Sequence, residues 1–433
     1  MKKAAFIGLI GLSPLVWAQD ELTLGQAVSL ALENDPWLDG SRYRERALTA
    51  QSIAAASLPD PIVSIGFENL PADGFNFRQE PMTQFRVGVS QVFPRSETRD
   101  LKRRQLSEEG AQQPLMRQDR LAGVRVAVSR LWLEAYRNRW ARELIEEDRA
   151  LFEYLVDVAE SSYTSAVGET RRQDLVRAQL ELTRLEDRLT ELQQQQEVNL
   201  AGLHEWLPGT DMNDIELSDS LPMLTLGQSL AVGQNHTERL VQLLLAHPRI
   251  RSIDQKIVAE GTGIRLAEQK YKPQWSVNAS YGYREDDPMG VYRSDFVSFG
   301  VSFDLPMFTT NRQDKEVQAA QATEAAARTE KTLELRSMLA GLEAALARLE
   351  RLSQRESLYE ERLLQEISDQ AEASLTAYTN EAGDFAEVVR ARIAELNTNI
   401  DFLNIQIDRL QTIAELNYYL VSVEEDSTRS VSP

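Results

Sequence analysis

No cysteine occurs anywhere in the 433 residues. That excludes a disulfide and a lipid-bearing N-terminal cysteine, so stability has to come from packing, metal or assembly. Histidine is nearly as scarce: His204, His236 and His247 are the only three, and none stands in a ligand spacing such as HxxxH. His247 precedes Pro248 as Asp35 precedes Pro36, which gives it a helix-ending role rather than a metal. No glycine loop follows a strand to cradle phosphate, because Gly261 and Gly263 fall inside a helical pattern. No Ser/His/Asp order offers a nucleophile, and no cofactor-binding pattern is present. These absences point away from an enzyme.

Basic side chains are also in deficit. Lys and Arg number 47 against 67 Asp and Glu, a net charge of −20 that becomes −22 once Lys2 and Lys3 are removed. Such a balance argues against nucleic acid or an anionic membrane surface as partner. Lys2 and Lys3 precede an apolar run from Ala4 to Val16, and Val16-Trp17-Ala18 offers a cleavage site. Residues 1–18 are therefore expected to be a secretory signal, with the mature chain starting near Gln19. Nothing after it is apolar enough for a transmembrane helix. A chain of this kind can cross a membrane only as a β-barrel.

What is present is a repeat. Pro36 and Pro248 stand 212 residues apart, as do Pro61 and Pro273, Gly88 and Gly300, and Pro94 and Pro306. Later the offset grows to 215, between Tyr163 and Tyr378 and between Gly168 and Gly383. The chain divides into a first repeat over 19–207, a link over 208–222, a second repeat over 223–422, and a disordered tail over 423–433. Each repeat reads as helix, β-hairpin, long helix, turn, long helix.

The hairpin strands fall near 62–68, 83–93, 274–284 and 295–304. Trp275, Val277, Ala279, Tyr281 and Tyr283 alternate with Ser276, Asn278, Ser280, Gly282 and Arg284. Val297, Phe299, Val301 and Phe303 alternate with Ser298, Gly300, Ser302 and Asp304. One apolar face and one small or polar face suits a lipid-facing barrel, and a soluble hairpin with one face on a core reads the same way. Four strands per chain fall short of the ~8 that a barrel needs. Several chains would have to share one barrel, and counting alone does not fix how many. Met82, Met289 and Met307 lie near the hairpins and read as packing or lipid-facing residues, with soft-metal contact as the alternative.

The helices expected over about 98–165 and 312–377 would each be near 100 Å long at 1.5 Å per residue, with Gly110 and Pro114 placed to interrupt the first. Seams at 3- and 4-residue steps run through Leu175, Ala178, Leu182 and Leu185, through Leu335, Leu339, Leu342 and Leu346, and through Val389, Ile393, Leu396 and Ile400. They demand partner helices, whether in a tube or in a plain coiled-coil rod.

This pattern resembles the TolC family of outer-membrane efflux channels over essentially the whole mature chain. The opening segment LTLGQAVSLALENDPWL (Leu22–Leu38) is similar to the family's opening motif. Its turn motif appears at Tyr163, Gly168 and Asp174–Ala178 and again at Tyr378, Gly383 and Glu387–Ala391. The resemblance implies a mainly α fold with a transmembrane β part: a homotrimer with a 12-stranded barrel continued by an α-helical periplasmic barrel. It implies an exit duct in the outer membrane of a Gram-negative bacterium, in contact with outer-membrane lipid, with no lipid on an N-terminal cysteine. Its partners would be a periplasmic adaptor protein and an inner-membrane RND pump, which supplies the energy. The segments LPDPIVSIGFENLP (Leu58–Pro71) and EPMTQFRVGVSQVFPR (Glu80–Arg95) most resemble the heavy-metal branch. Drug export, type I protein secretion and a periplasmic coiled-coil structural protein stand as alternatives. By motif position, Glu387 and Asp174 are the candidate acids of a gate ring and Tyr378 a candidate link, with Gly168 and Gly383 at the tip turns. Arg390 replaces a second ring acid, and Asp384 stands where a basic residue is usual.

Overall fold

Short capping signals start the helices. Ahead of α1 (Leu24–Glu33), the Thr23 hydroxyl accepts from the Gln26 amide at 3.3 Å, and the Gln26 side-chain oxygen accepts from the Thr23 amide at 2.9 Å. Helix α2 (Pro36–Ala55) opens on proline, which is pre-set for a first turn whose amide has no partner anyway. Helix α7 (Pro248–Glu268) starts the same way, and buried His247 is its N-cap, with Nδ1 accepting from the Arg249 amide at 3.1 Å. His247 also closes α6 (His236–Leu245), its amide donating to the Leu244 carbonyl at 3.1 Å, so it stands at the helix end expected from the sequence and caps the next helix as well. Proline obstructs the turn before it and favours the turn after it.

The computed structural model describes residues 21–164, 172–208, 216–227, 236–380 and 384–422. It is mostly helical with one antiparallel sheet. The remaining helices are α3 (Thr98–Gly110), α4 (Gln112–Thr164), α5 (Arg172–His204), α6 (His236–Leu245), α8 (Gln313–Leu358), α9 (Leu364–Thr379) and α10 (Phe385–Tyr419). The strands are β1 (Ile62–Glu68), β2 (Gln84–Phe93), β3 (Trp275–Tyr283) and β4 (Phe296–Phe303), each within a residue of its expected bounds. Helix α6 was not anticipated. Its first residue, His236, stands 212 after Leu24 of α1, the offset of the sequence landmarks. Neither long helix runs uninterrupted. The first breaks at Gly110–Gln112, leaving α4 with 53 residues, about 80 Å. The second is divided by a five-residue π turn, Tyr359–Leu363.

The chain packs as two compact units, each taking segments from both halves of the sequence. A helical unit comprises Met1–Asp35, Leu121–Ala231 and Gly341–Leu420, and a sheet unit comprises Pro36–Arg120, Val232–Ala340 and Val421–Pro433. In the helical unit one apolar cluster joins Leu24, Ala27 and Ala31 of α1 to Val128 and Trp132 of α4 and to Ile407 and Leu410 of α10. Polar contacts pin the chain across it. The Trp132 indole donates to the Leu22 carbonyl at 2.9 Å, and the Tyr136 hydroxyl donates to the Asp219 carbonyl at 3.1 Å. A second cluster joins Ile145, Phe152 and Leu155 of α4, Ala178 and Leu185 of α5, and Val388, Val389, Leu396 and Ile400 of α10. The α10 seam read from the sequence lies in these two clusters. In the sheet unit, α7 and α8 are bridged by charge: Arg249–Glu334 at 3.1 Å, Lys256–Glu330 at 2.7 Å and Lys331–Asp254 at 2.6 Å. Such half-exposed pairs each contribute no more than about 1 kcal/mol.

One carboxylate is held at a cost. Burial, and then the nearby Glu395, push Asp148 above the ordinary carboxylate range, with Arg392 opposing them. A raised folded-state pKa means that the folded protein holds this proton more tightly than the unfolded chain. Stability therefore falls as pH rises through the raised value, and the ionised group is a liability at neutral pH. Asp148→Asn should raise the urea midpoint at pH 7, with the gain vanishing below about pH 4, where Asp is protonated in both states. An unchanged midpoint at pH 7 would show that Asp148 is solvated.

Candidate membrane-facing sheet and helix-turn gate

The four strands pair in the order β1-β2-β3-β4, all antiparallel, leaving β1 and β4 as open edges. Because side chains alternate, the register stacks like with like. One face carries the rows Val63–Val89–Ala279–Phe299 and Ile65–Val87–Tyr281–Val297. The opposite face carries Ser64–Gly88–Ser280–Ser298 and Ile62–Ser90–Asn278–Gly300. Among the described residues nothing covers the middle of the apolar face: Ile65 is 68 %, Val301 63 % and Phe299 81 % exposed. A bare apolar face of this extent calls for lipid or a partner.

Aromatic rings bound that face at both ends. At one end Phe67, Phe85 and Tyr283 share a row, with Phe67 and Phe85 at 5.3 Å and Phe77 stacked on Tyr283 at 6.4 Å. At the other, Phe93, Trp275 and Phe303 share a row, with Trp275 and Phe303 at 4.6 Å. Eight residues separate Phe85 from Phe93, about 27 Å along the strand and near 20 Å in height at a ~40° tilt. Two aromatic girdles flanking an apolar band about 25 Å tall are the pattern of outer-membrane barrels. On the polar face the backbone stays bare. A Cβ on Gly300 would collide with the Asn278 side chain, and one on Gly282 with Gln84. Arg86 and Glu68 form an ion pair there at 2.7 Å. Met82, Met289 and Met307 are all exposed, at 54 %, 91 % and 68 %.

The gate candidates gather at the start of α10. Asp384 is its N-cap, accepting from the Ala386 amide at 3.3 Å, so its carboxylate closes the helix end. Glu387 lies in the first turn and is exposed, where the helix dipole favours a negative charge. Arg390 is exposed and folds back, its Nε donating to the Ala386 carbonyl at 3.1 Å. Tyr378 near the end of α9 meets Phe385 edge-on at 5.6 Å and packs against the second apolar cluster. Phe385, Ala386, Val388 and Val389 are buried, which leaves Glu387 and Arg390 as the exposed side chains of this turn. Asp174 lies in α5, and its side chain is outside the described residues, as are Gly168 and Gly383.

No family model matches the sequence, and no curated protein matches it. Solved structures do. A structure of CusC, which concerns folding and transmembrane channel formation, matches with a TM-score of 0.75 at 15 % identity, covering 92 % of both chains. The CmeC outer membrane channel of Campylobacter jejuni matches at 0.76 and 16 %, covering 92 % of this chain and 85 % of that one. The outer membrane protein VceC of Vibrio cholerae matches at 0.73 and 16 %, covering 92 % and 96 %. The fold is TolC-like.

Within this TolC-like fold several contacts had no counterpart in the sequence reading. Arg95 pairs with Asp304 and also donates to the Lys272 carbonyl at 2.9 Å, while Asp304 accepts from the Gln274 amide at 2.5 Å. The clasp joins the two hairpins just beyond the Phe93–Trp275–Phe303 row. Its signal was legible as a charge of opposite sign beside each of the matched prolines, Pro94-Arg95 and Asp304-Leu305-Pro306. At the other end Arg284 donates to the Pro81 carbonyl at 3.0 Å and Arg78 to the Asp286 carbonyl at 3.1 Å, tying one hairpin loop to the other.

Proposed function

We propose that this chain is one subunit of a homotrimeric outer-membrane exit duct, passive and not an enzyme, that conducts heavy-metal cations out of a tripartite efflux system. The observation that carries the membrane reading is the bare apolar face bounded by two aromatic rows, with an open strand edge on either side. Unpaired edges cost several kcal/mol per group in lipid, so neighbouring copies must close them. Two copies supply eight strands and three supply twelve. The TolC-like fold supports three. Among the described residues no helix is long and apolar enough to span a membrane, which is consistent with a barrel as the spanning element.

In this reading an adaptor protein and an RND pump deliver the cargo, and Glu387 with Asp174 lines the closed gate. Like charges around a narrow pore repel one another and favour bound cations, while Arg390 one turn away moderates the attraction. The metal cargo rests on Leu58–Pro71 and Glu80–Arg95 and their resemblance to the heavy-metal branch. The test is growth of a strain lacking this gene on graded copper, silver, zinc, cobalt and cadmium, with bile salts and a dye alongside. Sensitivity to one or two metals is expected. Sensitivity to the dye and bile salts with no metal effect would make it a drug or protein exporter instead.

A further inference from the structure

The π turn between α8 and α9 changes which side of the chain meets α10. Before the turn the helix presents one stripe to α10. A Cβ on Gly341 would collide with Tyr419, Arg348 pairs with Glu415 at 2.9 Å, and Glu356 pairs with Arg409 at 3.1 Å. At its start Tyr359 stacks on Phe402 at 6.4 Å. Ala345 and Leu352 are buried in the same stripe. At about 3.6 residues per turn, an uninterrupted helix would carry that stripe from Leu352 to Gln370, Ala373 and Ala377. The structure buries other residues: Ala371 is fully buried, and Leu375 and Tyr378 pack on the cluster that holds Phe385, Val388 and Val389. The stripe has advanced by one position. A π turn contains one residue more than an α turn, so Tyr359–Leu363 accounts for the shift. The sequence carries an independent trace of it. The offset between matched landmarks grows from 212 at Pro94 and Pro306 to 215 at Tyr163 and Tyr378, so the second repeat is three residues longer over this stretch, and the π turn takes up one of them.

We propose that the π turn takes up one surplus residue and so holds the rotational phase of α9, with Ala371, Leu375 and Tyr378 facing α10 beside the turn that carries Asp384 and Glu387. Without that residue the step from Leu352 to Ala371 falls from 19 to 18, five regular turns, so the same residues should stay against α10; one more residue beyond the π turn should instead turn α9 by about 100° and replace Leu375 by Ser374. The consequence for a gate rests on the duct reading. The phase itself does not.

The absence of natural cysteine makes the test direct. In the full chain carrying Leu375→Cys and Val388→Cys, a disulfide should form on oxidation, and Thr376→Cys with Val388→Cys should give none. Deleting exposed Glu361 should leave both results unchanged, because the π turn closes to a regular α turn, and Glu361→Ala should do the same. Inserting one alanine after Gln365 should abolish the 375–388 disulfide and let Ser374→Cys pair with Val388→Cys, and combining that insertion with the Glu361 deletion should restore the original pattern. This compensated variant also covers the case in which the insertion alone fails to fold. A move of the disulfide from 375 to 376 in the deletion, or its absence from the compensated variant, overturns the proposal. The same variants in planar lipid bilayers read the gate. The insertion should raise resting conductance over the parent, and the deletion should not. If the parent forms no pore while the disulfides switch as described, the duct reading fails and the phase assignment stands.

Discussion

For the proposed outer-membrane duct, Phe299→Arg is expected to remove the protein from the membrane, whereas Ser298→Arg leaves it there. The two positions are adjacent on β4 and face opposite ways. Phe299 lies in the row Val63–Val89–Ala279–Phe299, between the two aromatic rows, and is 81 % exposed. Arginine at the midplane of a barrel's lipid face costs about 2–4 kcal/mol, and a trimer bears that cost three times. Ser298 shares its face with Ser64, Gly88 and Ser280, which in the proposed duct lines a hydrated lumen that receives a guanidinium without a desolvation cost. Membrane fractions washed with urea, followed by gel migration with and without boiling, report both insertion and assembly. Equal insertion of the two variants, or loss of Ser298→Arg alone, would put the apolar face against protein and end the barrel reading.

The parity of each strand was legible because alternation is a local property: Val63, Ile65 and Phe67 against Ser64 and Gly66 need no partner to be read. The aromatic girdles were not. Phe93 and Trp275 are 182 residues apart, and only the pairing of β2 with β3 places them in one row with Phe303. The seam of α10 was read correctly for the same local reason, at steps of three and four. The phase change at Tyr359–Leu363 escaped because a π turn has no distinctive composition. Only the slip from 212 to 215 hinted at it, without locating it. Among the gate candidates, motif position singled out Asp384, Glu387 and Arg390. The structure adds that Asp384 caps its own helix and that Arg390 donates to its own backbone, roles that depend on where α10 begins. At His247 the helix end expected before Pro248 is found, and the structure adds that the same residue caps the helix that follows.

Trp132→Ala should cost the helical unit about 3–5 kcal/mol, the range for deleting a buried aromatic side chain. The indole is fully buried between α1 and the chain around Leu217, stacks on Tyr136 at 5.3 Å and donates to the Leu22 carbonyl at 2.9 Å. Trp132→Phe separates packing from hydrogen bonding. The Leu22 carbonyl keeps the Ser218 amide as a donor at 3.3 Å, so losing the indole N–H should cost only about 1 kcal/mol beyond the smaller ring. Tyr136→Phe removes the hydroxyl that donates to the Asp219 carbonyl, again about 1 kcal/mol. Burial, and then Asp219, hold the Tyr136 phenol above its ordinary pKa. The folded state therefore keeps that proton longer than the unfolded chain does. This contribution is present below about pH 10 and is lost as pH rises through the folded value. Urea unfolding of the detergent-solubilised protein should rank the parent above Tyr136→Phe and Trp132→Phe, with Trp132→Ala lowest, and the Tyr136→Phe difference should shrink above pH 10. Coincident midpoints for the parent and Trp132→Ala would mean that this cluster unfolds separately from the transition being measured. Helix α1 and the chain around Leu217 would then be an appendage to α4 and α10 and not their support.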